Sequence, residues 1–426
     1  MEKELAKKGI ISKGVKFISE KENVNPEIIA KNIAEGTCVI LKHKDTYLGI
    51  GKDLKTKINT NIGTSPDIFD LNLEIQKLKY AIKYGTDTLM DLSTGGDLNK
   101  IRKEIIKESS VPIGTVPIYQ SAIEVAEEKG GITKMDADKI FQIIEQHAKD
   151  GVSFMTVHCG ITLNTLQRLK KNPRKTLVVS RGGAFLISWM ISNEKENPLY
   201  KNFDRLLEIA KKYDVVLSLG DAMRPGGIID STDIAQIDEL LNLGELTRYA
   251  EEENVQVIIE GPGHIPIDEI ETNVKLEKKI CKGAPFYVLG PIVTDIAPGY
   301  DHITGAIGAS IAGWCGADFL CYVTSAEHIC LPGLDEVIDG VISSKIAAHV
   351  ADIGKGIKGT KEIDYKMDMY RTDRNWEKEK EISFFPDKFE QLHKKYEKTE
   401  RDVCTMCGKY CAIKLVEQYL GSKIIF

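Results

Sequence analysis

Three cysteines, Cys404, Cys407 and Cys411, fall within eight residues in "CTMCGKYC", inside a polar tail. The spacing C-x2-C-x3-C supplies one ligand fewer than a structural zinc site needs. It suits a [4Fe–4S] cluster held by three thiolates, whose fourth iron stays open for a small molecule such as S-adenosylmethionine. A zinc ion with a distant fourth ligand and a redox C-x-x-C pair are the other readings. Further upstream, "EGPGHIP" offers Glu260 and His264, and "TSAEHICLP" offers His328. Two imidazoles can converge on zinc, iron or nickel, or each can be an ordinary packed histidine. "VVSRGGAF" and "GDAMRPGG" join Ser180, Arg181 and Gly182 with Asp221 to Arg224. Glycine-rich backbone at a helix start, with arginine beside it, is a cradle for phosphate, although Asp221 and Arg224 could simply pair with each other. A long glycine-rich stretch carries Asp295, Tyr300, Asp301 and His302, either covering a site or only shaping a turn.

These groups follow short apolar runs: "TDTLMDLS" (86–93), "VPIGTVP" (111–117), "SFMTVH" (153–158), "TLVVS" (176–180), "DVVLSLG" (214–220), "VQVIIEG" (255–261), "FYVLGP" (286–291) and "ADFLCYV" (317–323). The runs lack period-two alternation, as strands buried on both faces of a parallel sheet do. Lys/Glu-rich stretches of helical spacing separate them. Eight such units predict a (β/α)8 barrel over residues 76–360, with a doubly wound open sheet as the competing arrangement. Active sites of barrels lie at the C-terminal strand ends, where Ser93, Tyr119, His158, Tyr287 and Cys321 also fall. Residues 1–75 read as a small N-terminal region, with a helix entered at Asn25-Pro26 and closed by Gly36. Residues 361–426 read as a charged helical arm that carries the cysteine motif, partly as a mobile connection.

The 426 residues suffice for a large core, and a net charge of −6 argues against nucleic acid or anionic membrane as the main partner. No apolar run approaches the roughly 20 residues of a membrane span, and the charged start is unlike a signal peptide. A cytoplasmic location is expected, where nine cysteines would stay reduced and serve metals or catalysis.

Several longer stretches, "KINTNIGTSPD", "MDLSTGGD", "GTVPIYQ", "GDAMRPG", "APFYVLGPIVTDIAPGYDHIT", "GADFLCYVTSAEH" and "CTMCGKYC", strongly resemble the ThiC family over about residues 5–415. Members are non-typical radical S-adenosylmethionine enzymes, phosphomethylpyrimidine synthases of thiamine biosynthesis, with a (β/α)8 barrel and a C-terminal cluster motif. The resemblance implies a carbon–carbon lyase that converts 5-aminoimidazole ribonucleotide to 4-amino-5-hydroxymethyl-2-methylpyrimidine phosphate. Formate, carbon monoxide, 5′-deoxyadenosine and methionine would be released. An external electron donor and a homodimer are also implied, with the tail of one subunit over the barrel of the other.

Residue by residue, the resemblance implies ribonucleotide contacts from Asn61, Met90, Tyr119 and His158. It adds Ser180, Arg181 and Gly182, the stretch Asp221, Ala222, Met223 and Arg224, then Glu260 and Tyr287. His264 and His328 map to a second metal site for Zn2+ or Fe2+. Cys321 matches a cysteine beside the substrate, a candidate radical or hydrogen-atom participant alongside Glu260. Cys404, Cys407 and Cys411 match the cluster ligands. The chain departs from the longer family spelling, C-x2-C-x4-C, and reads "GDAMRPG" and "TSAEHICLP" where "GDGLRPG" and "TPAEHL.LP" are commoner. The paralogous 5-hydroxybenzimidazole synthases, which use the same substrate and cofactors, are the alternative. From other classes, a zinc-dependent barrel hydrolase with a structural zinc tail, using His264, His328 and Asp301, would be colourless and active in air, and a non-catalytic ligand-binding barrel is a third reading.

Overall fold

Seven of the expected apolar runs form strands because helices cover them on the outside and they face one another within. In the computed structural model, which describes residues 1–395 and 403–420, an antiparallel hairpin pairs β1 (Cys38–His43) with β2 (Thr46–Gly51). Eight parallel strands follow: β3 (Lys57–Ile62), β4 (Thr88–Asp91), β5 (Ile113–Thr115), β6 (Phe154–Val157), β7 (Val216–Leu219), β8 (Val257–Gly261), β9 (Phe286–Leu289) and β10 (Phe319–Cys321). They close in the order β10-β3-β4-β5-β6-β7-β8-β9. The open-sheet alternative is therefore set aside.

The barrel corrects two expectations. "TLVVS" at 176–180 is not a strand. Leu177 is 70% exposed at a positive φ of 55°, and Val179 is also exposed. The neighbouring Thr176 is tied down instead, donating from its N–H (2.7 Å) and its hydroxyl (2.5 Å) to Asp230. The missing strand is β3, "KINTNI", inside the segment expected to lie outside the barrel. It pairs with β10 and β4, with Asn61 opposite Met90 and Asn59 opposite Cys321. The barrel thus begins at Lys57 and not after residue 76.

Aromatic side chains fill the interior: Phe319 stacks on Tyr287 at 4.2 Å between centroids and meets Phe154 edge-on at 6.1 Å. Filling of this kind makes the barrel a packed core and not a pore. The Asn25-Pro26 helix start holds, since Asn25 accepts the Glu27 N–H at the head of the helix Pro26–Ala34. The hairpin is joined to the barrel by hydrogen bonds. Gln256 accepts from Ile40 N and donates to Ile40 O, and Ser153 donates to Lys42 O.

By its internal contacts the chain divides into Met1–Ile357 and Lys358–Phe426. The second unit holds the helices Thr360–Thr372, Trp376–Ile382, Pro386–Lys395 and Ala412–Leu420. The part of the expected mobile connection at 396–402 lies outside the described residues.

Candidate active site at the barrel mouth

Each βα unit delivers one or two polar side chains to the C-terminal end of its strand. Ten of the expected substrate and catalytic residues line one cavity of about 300 Å3: Asn61, Met90, Tyr119, His158, Arg181, Asp221, Arg224, Glu260, Tyr287 and Cys321. Ser180, Gly182, Ala222 and Met223 do not line it. Their roles are indirect. Ser180 caps the helix Arg181–Asn193 by accepting the Gly183 N–H. Gly182 lets that helix approach His158, because a Cβ there would sit 2.3 Å from the imidazole. Ala222 and Met223 offer backbone N–H groups to Glu239, at 2.9 and 2.7 Å.

The Asp221–Arg224 loop is clamped from both sides. Glu239 holds those N–H groups, while the Arg174 guanidinium donates to Met223 O (2.6 Å) and Arg224 O (3.3 Å) and pairs with both Asp233 oxygens. Burial pushes Glu239 up to about 8 and Asp221 up to about 7, in the latter case against the pull of Arg224 3.1 Å away. Burial drives His158 down to about 3, with the Arg224 charge adding to the effect, so its imidazole is neutral. Glu260 anchors one oxygen on Thr156 (2.7 Å) and Ser218 (2.8 Å), and the surrounding protein raises its pKa. Of the buried side-chain atoms without a hydrogen-bond partner among the described residues, two belong to residues lining this cavity, His158 Nδ1 and Asp221 Oδ2. Orphaned polar atoms beside a cavity are positions a bound ligand would satisfy. Arg181 lies over the Tyr119 ring, 5.2 Å from its centre.

A second cavity, of about 450 Å3, opens beside the first. The two share Asn61, Leu92, Arg181 and Glu327, and the second continues to Thr324 and His328. His328 lines it, and His264 brings its Nε2 within 3.2 Å of the His328 Nε2. His264 Nδ1 faces Asp295 at 2.7 Å, and His328 Nδ1 lies 3.7 Å from Asp301. A carboxylate behind an imidazole fixes its tautomer and turns the other nitrogen's lone pair outward, as in metal ligation. The donor set therefore fits a cation shared by the two Nε2 atoms with outside ligands completing it. Among the described residues no three His, Cys, Asp or Glu side chains converge on one point. Asp295 and Asp301 thus stand behind the histidines, and Tyr300 is exposed.

The tail differs. Cys404 and Cys407 are exposed, and all three thiols are free. The backbone N–H of Cys407, and then that of Met406, point at the Cys404 sulfur and lower its pKa. Cys411 directly precedes the helix Ala412–Leu420. The donor chemistry fits a cluster, while the three sulfurs do not converge.

Sequence reasoning overlooked Glu327, which lines both cavities, and the supports Asn59, Arg174 and Glu239. Glu327 stands directly before His328, a signal that was available. The supports carried none, since Arg174 and Glu239 hold the backbone of another loop and Asn59 reaches Thr88 and Tyr287 on other strands of the barrel.

The sequence matches the radical SAM ThiC family over residues 2–418. It is 56% identical over 423 residues to a phosphomethylpyrimidine synthase of Caldanaerobacter subterraneus subsp. tengcongensis, covering 98% of each chain. Against the phosphomethylpyrimidine synthase of Methanocaldococcus jannaschii it is 53% identical over 421 residues, 98% of this chain and 99% of that one. Among solved structures, a dihydropteroate synthase from Coxiella burnetii in complex with pteroic acid matches 75% of this chain and 99% of its own, at 12% identity and TM-score 0.44. Among the described residues no helix is long and apolar enough to cross a membrane. With a family match spanning nearly its whole length, the chain belongs to the radical SAM ThiC family, enzymes whose membership implies a [4Fe–4S] cluster and S-adenosylmethionine.

Proposed function

We propose that the chain is a phosphomethylpyrimidine synthase, converting 5-aminoimidazole ribonucleotide to the hydroxymethylpyrimidine phosphate of thiamine, with formate and carbon monoxide released. The observation that carries this reading is the first cavity. It combines two guanidinium groups, a neutral buried imidazole, carboxyl groups whose pKa burial raises and a buried thiol. That mixture suits a small, phosphorylated, nitrogen-rich substrate whose skeleton is rebuilt by proton and hydrogen-atom transfers.

In this reading the phosphate rests at the head of the helix Arg181–Asn193, where free N–H groups and Arg181 meet it. His158 Nδ1 and Asp221 Oδ2 bond the substrate's ring and ribose. Glu260, fixed by Thr156 and Ser218, exchanges protons with the rearranging ring. Cys321 keeps its hydrogen, because burial pushes the thiol up to about 12, and so serves as a hydrogen-atom donor and not a nucleophile. S-adenosylmethionine would occupy the second cavity, next to His264 and His328, which would hold Zn2+ or Fe2+. Cys404, Cys407 and Cys411 would hold the cluster, which when bound supplies, from an external donor, the electron that cleaves S-adenosylmethionine. The same proposal includes a cytoplasmic homodimer in which each tail serves the partner's barrel.

The test is product identity. Reconstituted protein is incubated anaerobically with aminoimidazole ribonucleotide, S-adenosylmethionine and a strong reductant, and the product is read by mass spectrometry. The reading expects the pyrimidine phosphate. 5-Hydroxybenzimidazole in its place would move the chain to the paralogous activity, and turnover in air without the tail cysteines would remove the radical mechanism.

A further inference from the structure

The interior of β3 carries an asparagine that the substrate cavity does not reach. Asn59 is fully buried. Its Oδ1 accepts from the Thr88 hydroxyl at 2.8 Å. Its amide nitrogen donates twice, to Asn61 Oδ1 at 2.8 Å and to the Tyr287 hydroxyl at 2.8 Å. Asn61, with its oxygen so engaged, turns its own amide nitrogen to Cys321 Sγ, 3.1 Å away. The Tyr287 hydroxyl accepts from Asn59, which frees its proton for its own hydrogen bond with Cys321. Asn61 and Tyr287 are thus both aimed by a single amide, which also reaches the sulfur itself.

We propose that Asn59 is a positioning residue: through Asn61 and Tyr287 it fixes the direction in which Cys321 presents its S–H to the substrate cavity. A thiol sulfur has two lone pairs, one S–H and one bond to carbon. With the lone-pair side of the sulfur facing the N–H groups of Asn61 and Asn59 and the Tyr287 O–H, the S–H takes the remaining direction. Cys321 is 6% exposed, and the open space it lines is the first cavity. Burial keeps the sulfur protonated, so there is a hydrogen to aim. The pairing register explains why this residue type sits here. Asn59 lies opposite Cys321 on β10 and opposite Thr88 on β4, one layer below Asn61. An apolar residue at this layer would fill space equally well and direct neither neighbour. The inference rests on the reading of Cys321 given above.

The experiment has two readouts. Raman spectra of the full chain without cluster, taken as the difference between wild type and Cys321→Ser, isolate the Cys321 S–H stretch. Wild type should give one narrow band, and Asn59→Leu a shifted and broadened one. In reconstituted enzyme, Asn59→Leu should lower product formed per S-adenosylmethionine cleaved by roughly tenfold or more, the effect of misaiming a reacting group. Asn59→Asp keeps the shape and the acceptor for Thr88 but removes both donated N–H bonds, and should behave likewise if the leucine variant does not fold. An unchanged band together with wild-type coupling in a folded Asn59 variant overturns the proposal. Full turnover by Cys321→Ser overturns the reading of Cys321 instead, and leaves the Raman result to decide the positioning of the thiol.

Discussion

The barrel mouth and the cysteine tail, where the chemistry-bearing side chains gather, are built in opposite ways. At the mouth several polar side chains are held by others. Glu260 is fixed by two hydroxyls, the Asp221–Arg224 loop by Glu239 and Arg174, and Cys321 by Asn61. In the tail the sulfurs are near one another in sequence, free and unconverged. The difference teaches that the fold fixes the side chains of the mouth, whereas the three tail sulfurs would have to be gathered by the group they bind. Metal binding and local ordering are then one event.

The largest effect that can break this contrast comes from the tail. Cys407→Ala should abolish the brown absorbance of reconstituted protein and take activity below detection. Thermal unfolding of the barrel should move by no more than about 0.5 kcal/mol, as for a surface substitution. A barrel that melts much earlier would mean that the tail also builds the mouth. Next is Glu260→Gln, which should retain the absorbance and lower kcat by roughly 10²–10⁴, the span of a lost acid–base group. An unchanged kcat would remove Glu260 from the chemistry. A smaller loss, about tenfold to a hundredfold, is expected for Gly182→Ala, read as kcat/KM, because the new methyl displaces His158.

The smallest effect is on stability. In the folded chain Asp221 and Glu239 release their protons near 7 and 8, whereas an unfolded carboxyl does so near about 4. Between those values the folded state binds more protons, so stability falls as pH rises from about 4 to about 8. Glu239→Gln should flatten the upper part of that slope in plots of Tm against pH. A slope identical to wild type would show that Glu239 does not hold its proton in the folded state.

Much of this was legible in the sequence. Apolar runs that are buried on both faces announced seven barrel strands, and the polar groups after them announced the mouth. The eighth strand was hidden by its function. "KINTNI" has two isoleucines and spends Asn59 and Asn61 on the site, so it reads as a polar loop. "TLVVS" misled for the converse reason: its apolar residues lie on a surface loop ahead of the helix Arg181–Asn193. The cysteine motif named its ligands without their geometry, because spacing of three sulfurs does not fix a turn's shape. Glu239 and Arg174 were invisible, since what they hold is the backbone of a distant loop.

The central claim, a mouth complete without its tail, is tested most directly by calorimetry. Aminoimidazole ribonucleotide is titrated into a variant in which Cys404, Cys407 and Cys411 are all alanine. The account predicts wild-type affinity, within about 0.4 kcal/mol or twofold. Binding that is absent in this variant, and present in wild type only after cluster reconstitution, would contradict it.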